Sequence, residues 1–432
     1  MSRLFVIACL LLNMGAASAE VLRLHGSNTI GAALMPSLVE AWLPEQGYRI
    51  TQKQNPKAQE VLLTAVNDAG DELRVEINSH GSSTAFRDLA TGAADVGMSS
   101  RRISQQEVRT LNTMGPLNAP GNEVVLALDA VAVVVHPRNP LTHLTVQQVQ
   151  DLFSGKIRNW QSLTGTDLPV QLYARDDQSG TYEVFRQEAL AGQALSTQAR
   201  RFESSSDLVS SVSRDPGAIG FVSLAYVKGV RALAIQEADV AVAPTPFQVA
   251  TEAFPLARRL YLYAPETARS PLVNSLISFA LGESGQDIAA KTGYVSQNVF
   301  AEAMRVPTSA PAEYRQLTQG AKRLSLNFRF DERAFQLDAK AEHDLDRLAD
   351  YLQQMQPKPK DIMFLGFSDP YEAAPVVSVG LASDRADYIA SALFQRDVVA
   401  TRVRGYGSVA AVASNQDELG RMKNRRVEVW VR

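Results

Sequence analysis

The amino-acid sequence predicts an α/β protein with a small α+β domain appended at its C-terminal end. Two observations carry this expectation. From residue 20 to residue 300, strand-like runs lead repeatedly into polar turns and then into helical periodicity, the pattern of α/β layers with largely parallel sheets. After a Pro-containing stretch the pattern restarts in a β-α-β-α-β order. The length of 432 residues agrees, allowing roughly three units at about 150 residues each. Hydrophobic residues make up 45% and charged residues 21%, enough apolar material for packed cores. The net charge of −3 lacks the basic field that nucleic-acid binding needs, so nucleic acid is excluded as a partner.

The elements follow in order. Residues 1–19 read as a secretory signal peptide: Arg3 precedes the apolar run Leu4 to Leu12, and Ala17-Ser18-Ala19 forms an A-x-A site with cleavage expected before Glu20. The run is too short to span a bilayer. The one cysteine, Cys9, lies within it, so the mature chain has no disulfide and no cysteine-ligated metal. Residues 20–300 form the first folded part. There Val21 to Leu24 reads as a strand, Gly26-Ser27-Asn28-Thr29 as a turn, and Ile30, Leu34, Leu38 and Trp42 as one helix face. The unit recurs at Leu73 to Ile77 with Gly81-Ser82-Ser83-Thr84, and again at Val170 to Tyr173 with Arg175 to Thr181. Residues 301–322, with Pro307, Pro311 and several Ala, Ser and Gln residues, read as a linker. Residues 323–432 form the second part. Leu324, Leu326, Phe328 and Phe330 alternate as a strand, Ala341 to Met355 steps as an amphipathic helix, and Ile362 to Phe367 is a strand. A helix from Leu381 to Leu393 and a last strand from Arg426 to Val431 complete it.

Turns placed between strand and helix bring backbone N–H groups, hydroxyls and the positive end of a helix to one point, which suits a small anion. The candidate donors are Ser27, Thr29, Ser82, Ser83, Ser99, Ser100, Ser179 and Thr181, with Arg175 as the nearby full charge. Capping of the helices is the competing role for any one of these hydroxyls. Three such turns and an arginine point to a binding site.

The segments Leu126 to Leu163, Val170 to Phe185 and Asp215 to Leu233 resemble the phosphate-binding proteins of bacterial ABC uptake systems, members of the type II periplasmic binding proteins. The most specific runs are R-x-x-x-S-G-T at Arg175 and "DLFSGKIRNW" at Asp151. The resemblance implies a two-lobe type II periplasmic binding protein fold that closes over one dehydrated phosphate or related oxyanion. It implies contacts from Thr29, Ile30, Ser82, Ser100, Arg175, Ser179, Gly180 and Thr181, and an ABC permease as a further partner. Some family members carry an aspartate where this chain has Ser100, which accepts the proton of hydrogen phosphate. Extra residues between Tyr48 and Asn78 look like an inserted hairpin.

The segment Arg402 to Val431, with G-R-x-x-N-R-R-V-E near its end, resembles the OmpA-like peptidoglycan-binding domain. The resemblance implies that Asp369 and Arg385 hold the diaminopimelate of the wall peptide, an Arg fork suiting its carboxylate and an Asp its ammonium. Glu372 stands where that family has glycine, and Ser378 where it has asparagine.

Enzyme readings find no support. There is no G-x-x-x-x-G-K-[ST] loop, no H-E-x-x-H, and no ligand spacing among His25, His80, His136, His143 and His343, so neither a cofactor nor a metal is expected. No base stands beside Ser179 in sequence. The sequence thus predicts a periplasmic, wall-tethered binding protein for phosphate. The alternative is a wall-associated structural or adhesion factor whose anion lobes no longer serve transport.

Overall fold

Alternation in Glu20–Gly26 turns Leu22 and Leu24 into the core and makes this segment β1 of a computed structural model of the protein. The structure describes residues 20–432 apart from Pro120, Ala238, Asp239, Thr267, Ala268, Ser309, Arg333, Ala334 and Asp417. The signal segment expected at residues 1–19 lies outside the described residues. The four-residue step holds: Ile30, Leu34, Leu38 and Trp42 are all buried, on the helix turn Asn28–Gly31 and the helix Leu34–Glu45. β2 (Tyr48–Gln54), β3 (Glu60–Asn67) and β4 (Glu72–Asn78) follow as an antiparallel set, with β4 parallel to β1. The extra residues after Tyr48 therefore extend one edge of the sheet. β5 (Val96–Ser99) lies on the other side of β1.

β6 (Glu123–Val135) is a thirteen-residue apolar strand. The second lobe adds β7 (His143–Thr145), β8 (Gln171–Arg175), β9 (Arg200–Phe202), β10 (Ala218–Ser223), β11 (Arg231–Ala232), β12 (Ala234–Glu237) and β13 (Val240–Val242). β14 (Ala257–Tyr263) then returns to the first lobe. Among the described residues the large sheet runs β2-β3-β4-β1-β5-β14-β6-β10-β8-β9, with β11 on β6 and a separate β13-β12-β7 sheet. The first half of β6 pairs with β14 and its second half with β10, so β6 and β14 are the strands that pass between the lobes. The core of the second lobe centres on Phe185 stacked on Phe221, ring centroids 3.9 Å apart, with Phe153 edge-on to both. The chain thus forms two α/β lobes joined by crossing strands, as expected.

The C-terminal sheet contains β15 (Ala301–Glu302), β16 (Lys322–Arg329), β17 (Ile362–Gly366), β18 (Arg402–Gly405) and β19 (Arg426–Val431) in the order β15-β16-β19-β17-β18. Leu324, Leu326, Phe328 and Phe330 are buried against Leu345, Leu348 and Leu352 of the helix Ala339–Gln354. Three details depart from the sequence reading. The second helix spans Pro375–Phe394, because Pro375 opens it two turns before the apolar face begins and Val376, Val377 and Val379 face outward. β18 carries no buried face of its own, so it left no alternation to read. Residues 301–322 are not a contact-poor linker. β15 pairs with β16, Ala312–Thr318 is a helix, and the buried Tyr314 donates its hydroxyl to Glu428 Oε2 at 2.8 Å.

The C-terminal domain also bonds to the second lobe and its crossover strand. Thr251 O accepts from Asn327 Nδ2 (3.0 Å) and Arg329 Nη2 (2.7 Å), and Lys423 Nζ donates to Pro255 O (2.9 Å). Arg259 bonds Glu252 through Nε (2.7 Å) and Asp338 through Nη1 (2.6 Å). Burial alone would raise the Glu252 carboxyl, but Arg259, Lys340 and Arg329 outweigh it and hold the group well below the usual carboxylate range. A lowered carboxyl contributes stability above its ordinary pKa of 4.5 and loses that contribution as pH falls toward its folded value. Glu252→Gln is therefore expected to cost roughly 2 kcal/mol at pH 7, for a pair that is mostly but not fully buried. Thermal melts from pH 7 to pH 3 should show a shallower acid loss in the variant than in the wild type.

Candidate functional site

The polar turns leave β1, β4 and β8 at the ends of parallel strands, the usual place for a ligand crevice in open α/β sheets. Capping explains only one of them. Ser179 Oγ accepts from Thr181 N (3.2 Å) and Tyr182 N (3.4 Å) and caps its helix. Ser27 makes no side-chain cap, and Ser82 Oγ instead accepts from Ser100 N at 3.0 Å and lies 3.2 Å from Ser100 Oγ. The hydroxyls at Ser82 and Ser100 are thus held together by each other and not by a helix end.

The two lobes meet at these residues. Thr29 Oγ1 and Thr181 Oγ1 lie 3.2 Å apart, each fully or nearly buried. Gly180 fits because it has no side chain: a Cβ there would stand 2.3 Å from Ser82 Oγ and 2.6 Å from Ser100 Oγ. The structure therefore gathers Thr29, Ser82 and Ser100 of the first lobe with Ser179, Gly180 and Thr181 of the second. The Ile30 side chain is in the core and does not join them. Of the wider set of hydroxyls, Ser83 is exposed and Ser99 Oγ donates to Arg101 O at 2.7 Å, away from the cluster.

Arg175 is buried beside this cluster. It donates to Phe202 O (3.1 Å), Ser205 Oγ (2.7 Å), Glu203 O (2.6 Å) and Asn28 Oδ1 (3.5 Å), and it forms no ion pair among the described residues. Burial draws its pKa down to about 10, which leaves it cationic at neutral pH. Its neighbour Asp176, whose oxygen accepts from Gln178 N at 2.9 Å, has its own pKa raised by burial.

A second buried guanidinium stands here that the sequence reading missed. Arg258, on β14, donates through Nε (3.0 Å) and Nη2 (2.7 Å) to Asp129 Oδ2 on β6, and through Nη2 to Thr181 Oγ1 at 2.9 Å. Its Nη1 is buried with no partner among the described residues. Asp129 also accepts from Ser223 Oγ (2.9 Å) and Leu224 N (3.1 Å). The available signal was Asp129 itself, a lone charge in the apolar run Leu126 to Val135, which requires a buried partner somewhere in the fold. Two guanidiniums with one directly bonded carboxylate, hydroxyls and helix-end N–H donors suit a small oxyanion held by charge and directed hydrogen bonds.

In the C-terminal domain the structure brings Asp369 and Arg385 into one buried network. Arg385 donates to both oxygens of Glu372, at 2.8 and 2.5 Å, and to Asp331 O at 3.1 Å. Asp369 accepts from Arg425 Nη1 (3.0 Å) and Tyr371 N (2.8 Å). Ser378, in place of the family's asparagine, stands 2.7 Å from Ser368 through their hydroxyls. Arg426 bonds Glu428 and lies over the Phe367 ring at 4.0 Å, so the basic run near the end of the chain ties the last strand into the domain.

Comparison with known proteins identifies the two parts of the chain. Residues 51–284 match the PBP superfamily domain and residues 329–425 the OmpA family. The chain is 32% identical over 242 residues to the phosphate-binding protein PstS of Pseudomonas aeruginosa, covering 52% of this chain and 74% of that one. It is 30% identical over 236 residues to the protein SphX of Synechococcus elongatus, covering 52% and 69% of the two chains. A substrate-binding protein from Clostridium perfringens, solved with bound phosphate, matches with a TM-score of 0.52 at 27% identity, over 64% of this chain and 99% of that one.

The position of Arg258 generates a test. Arg258→Lys keeps a cation beside Asp129 but cannot also reach Thr181 with a directed fork. Oxyanion affinity measured by calorimetry is expected to fall about tenfold, or ~1.4 kcal/mol, with the folded state retained.

Proposed function

The chain belongs to the PBP superfamily, and from that premise we propose that its two lobes bind inorganic phosphate, or a related oxyanion, as the solute-binding component of an ABC uptake system. The observation that supports this reading is Arg175, a buried cation with no ion pair among the described residues, which reaches Asn28 next to Thr29, while Ser82, Ser100, Gly180 and Thr181 gather beside Thr29 from both lobes. An unpaired buried charge is costly, and an anion closed between the lobes would offset that cost. The names of PstS and of similar proteins from other bacteria favour phosphate as that anion. The expected export signal places the protein in the periplasm, where an ABC permease would be its partner. In the same reading the OmpA-family domain holds the cell wall, with Asp369 and Arg385 directed at diaminopimelate.

Binding without catalysis fits the side chains present. Among the described residues no histidine bonds Ser82, Ser100, Ser179 or Thr181: His25 is engaged by Asp88 and Asn78, and His80 by Glu60 and Glu203. The hydroxyl at Ser100 can donate or accept a hydrogen bond, so it serves hydrogen phosphate without rejecting a fully deprotonated oxyanion.

Calorimetry of the mature protein against phosphate, arsenate and sulfate tests the reading. Arg175→Ala should weaken phosphate binding by about 1.5 to 3 kcal/mol, roughly 10-fold to 150-fold, because a charge-assisted hydrogen bond is lost from a water-poor site. A folded variant that titrates like the wild type would place the site elsewhere. Ser100→Asp should shift selectivity toward hydrogen phosphate over sulfate, since a carboxylate accepts a proton and repels a fully ionised ligand. Unchanged selectivity would show that residue 100 does not face the anion.

A further inference from the structure

From Tyr371 through Val377, in the first turn of the helix Pro375–Phe394, the chain lies on the surface of the C-terminal domain. Tyr371 is 69% exposed, Val376 86% and Val377 63%. Glu372 is the one buried side chain in this run, and its carboxylate is fully enclosed. It grips Arg385 with both oxygens in the planar fork geometry that a ligand carboxylate would adopt. Glu372 Oε2 also accepts from the backbone N–H of Asp369 at 3.4 Å, so the carboxylate lies between the two positions expected to hold the wall peptide.

We propose that Glu372 closes the wall-binding site from within, seated on Arg385 in the place of a ligand carboxylate, so that wall peptide binds only by displacing it. This rests on the reading of Asp369 and Arg385 as the wall-binding pair. Asp369 is matched in the same way by Arg425, which is anchored at its other end to Glu418. Each group directed at a zwitterionic ligand thus already faces an internal counter-charge. Stability alone is a weak reason for such a pair, since apolar residues of similar volume commonly serve as well. Nor is Arg385 fully satisfied by its present partners: its Nε is buried and unpaired among the described residues, while Nη2 reaches only Glu372 and Asp331 O. The covering segment is short and outward-facing, with Arg421 stacked over the Tyr371 ring at 5.3 Å, so displacement moves a surface loop and leaves the core in place.

A site that is open for only a fraction of the time has its apparent affinity reduced by that fraction. Co-sedimentation of the full-length protein with diaminopimelate-containing sacculi reads this directly, with melting temperatures to verify folding. Glu372→Gly and the nearly isosteric Glu372→Gln should each bind sacculi at least about tenfold more tightly than the wild type. The gain should vanish in Glu372→Gly combined with Arg385→Ala. A merely structural Glu372 would instead give weaker binding and a lower melting temperature. Should Glu372→Gly fail to fold, Glu372→Gln decides alone. Equal binding by wild type and folded variants overturns the internal cover and leaves wall binding standing. Binding by none of them, all folded, removes the wall-binding reading itself and the cover with it.

Discussion

A carboxylate in the middle of an apolar crossover strand must be neutralised, and the pairing of Asp129 with Arg258 meets that need in a way that organises the two-lobe part. Asp129 and Arg258 are directly opposite each other on β6 and β14, the strands that pass between the lobes. Both side chains are almost completely enclosed, and separating such a pair leaves a buried unpaired charge at a cost of about 3 to 5 kcal/mol. The pair is therefore a fixed point about which the lobes are arranged. It is also in contact with the candidate site, because Arg258 reaches Thr181 while Asp129 holds Ser223 and Leu224. Movement of one lobe against the other and occupancy of the site share this element.

Much of the fold was legible because local pattern and burial agree. Ile30, Leu34, Leu38 and Trp42 are spaced as one helix face and are buried as one. Leu324, Leu326, Phe328 and Phe330 alternate in sequence and all face the core. The hydroxyl cluster was legible for the same reason: each turn sits between a strand and a helix, and parallel strands bring such turns to one edge. What was not legible depends on long-range pairing. Arg258 stands 129 positions from its partner and bears no local signature. The segment 301–322 reads as loose because Met304, Val306, Tyr314 and Leu317 fit no single period, yet each packs on the C-terminal sheet. Apolar residues used one at a time against a preformed surface leave no rhythm in the sequence.

Arg175 and the guanidiniums near Asp369 are buried by different means. In the lobes, Arg175 is buried among backbone carbonyls and hydroxyls with no direct ion pair among the described residues. In the C-terminal domain, every buried guanidinium near Asp369 has a carboxylate within hydrogen-bond reach: Arg385 has Glu372, Arg425 has Asp369 and Glu418, and Arg426 has Glu428. The sequence showed Glu372 only as a departure from a glycine. Its pairing became visible when the helix Pro375–Phe394 brought Arg385 beneath the surface loop.

The folding of residues 301–322 onto β16 and β19 changes the mechanics of any attachment. A free coil of that length would give its two ends an r.m.s. separation of about 25 Å and a volume to explore. Here the length is consumed by a strand pairing, a helix and a buried tyrosine, and the neighbouring surfaces are bolted through Thr251, Arg259 and Lys423. A protein built this way has almost no leash. If its C-terminal domain is held at a surface, the two lobes stand at one height and one orientation above it, and their mouth faces a set direction instead of sweeping the space around the anchor.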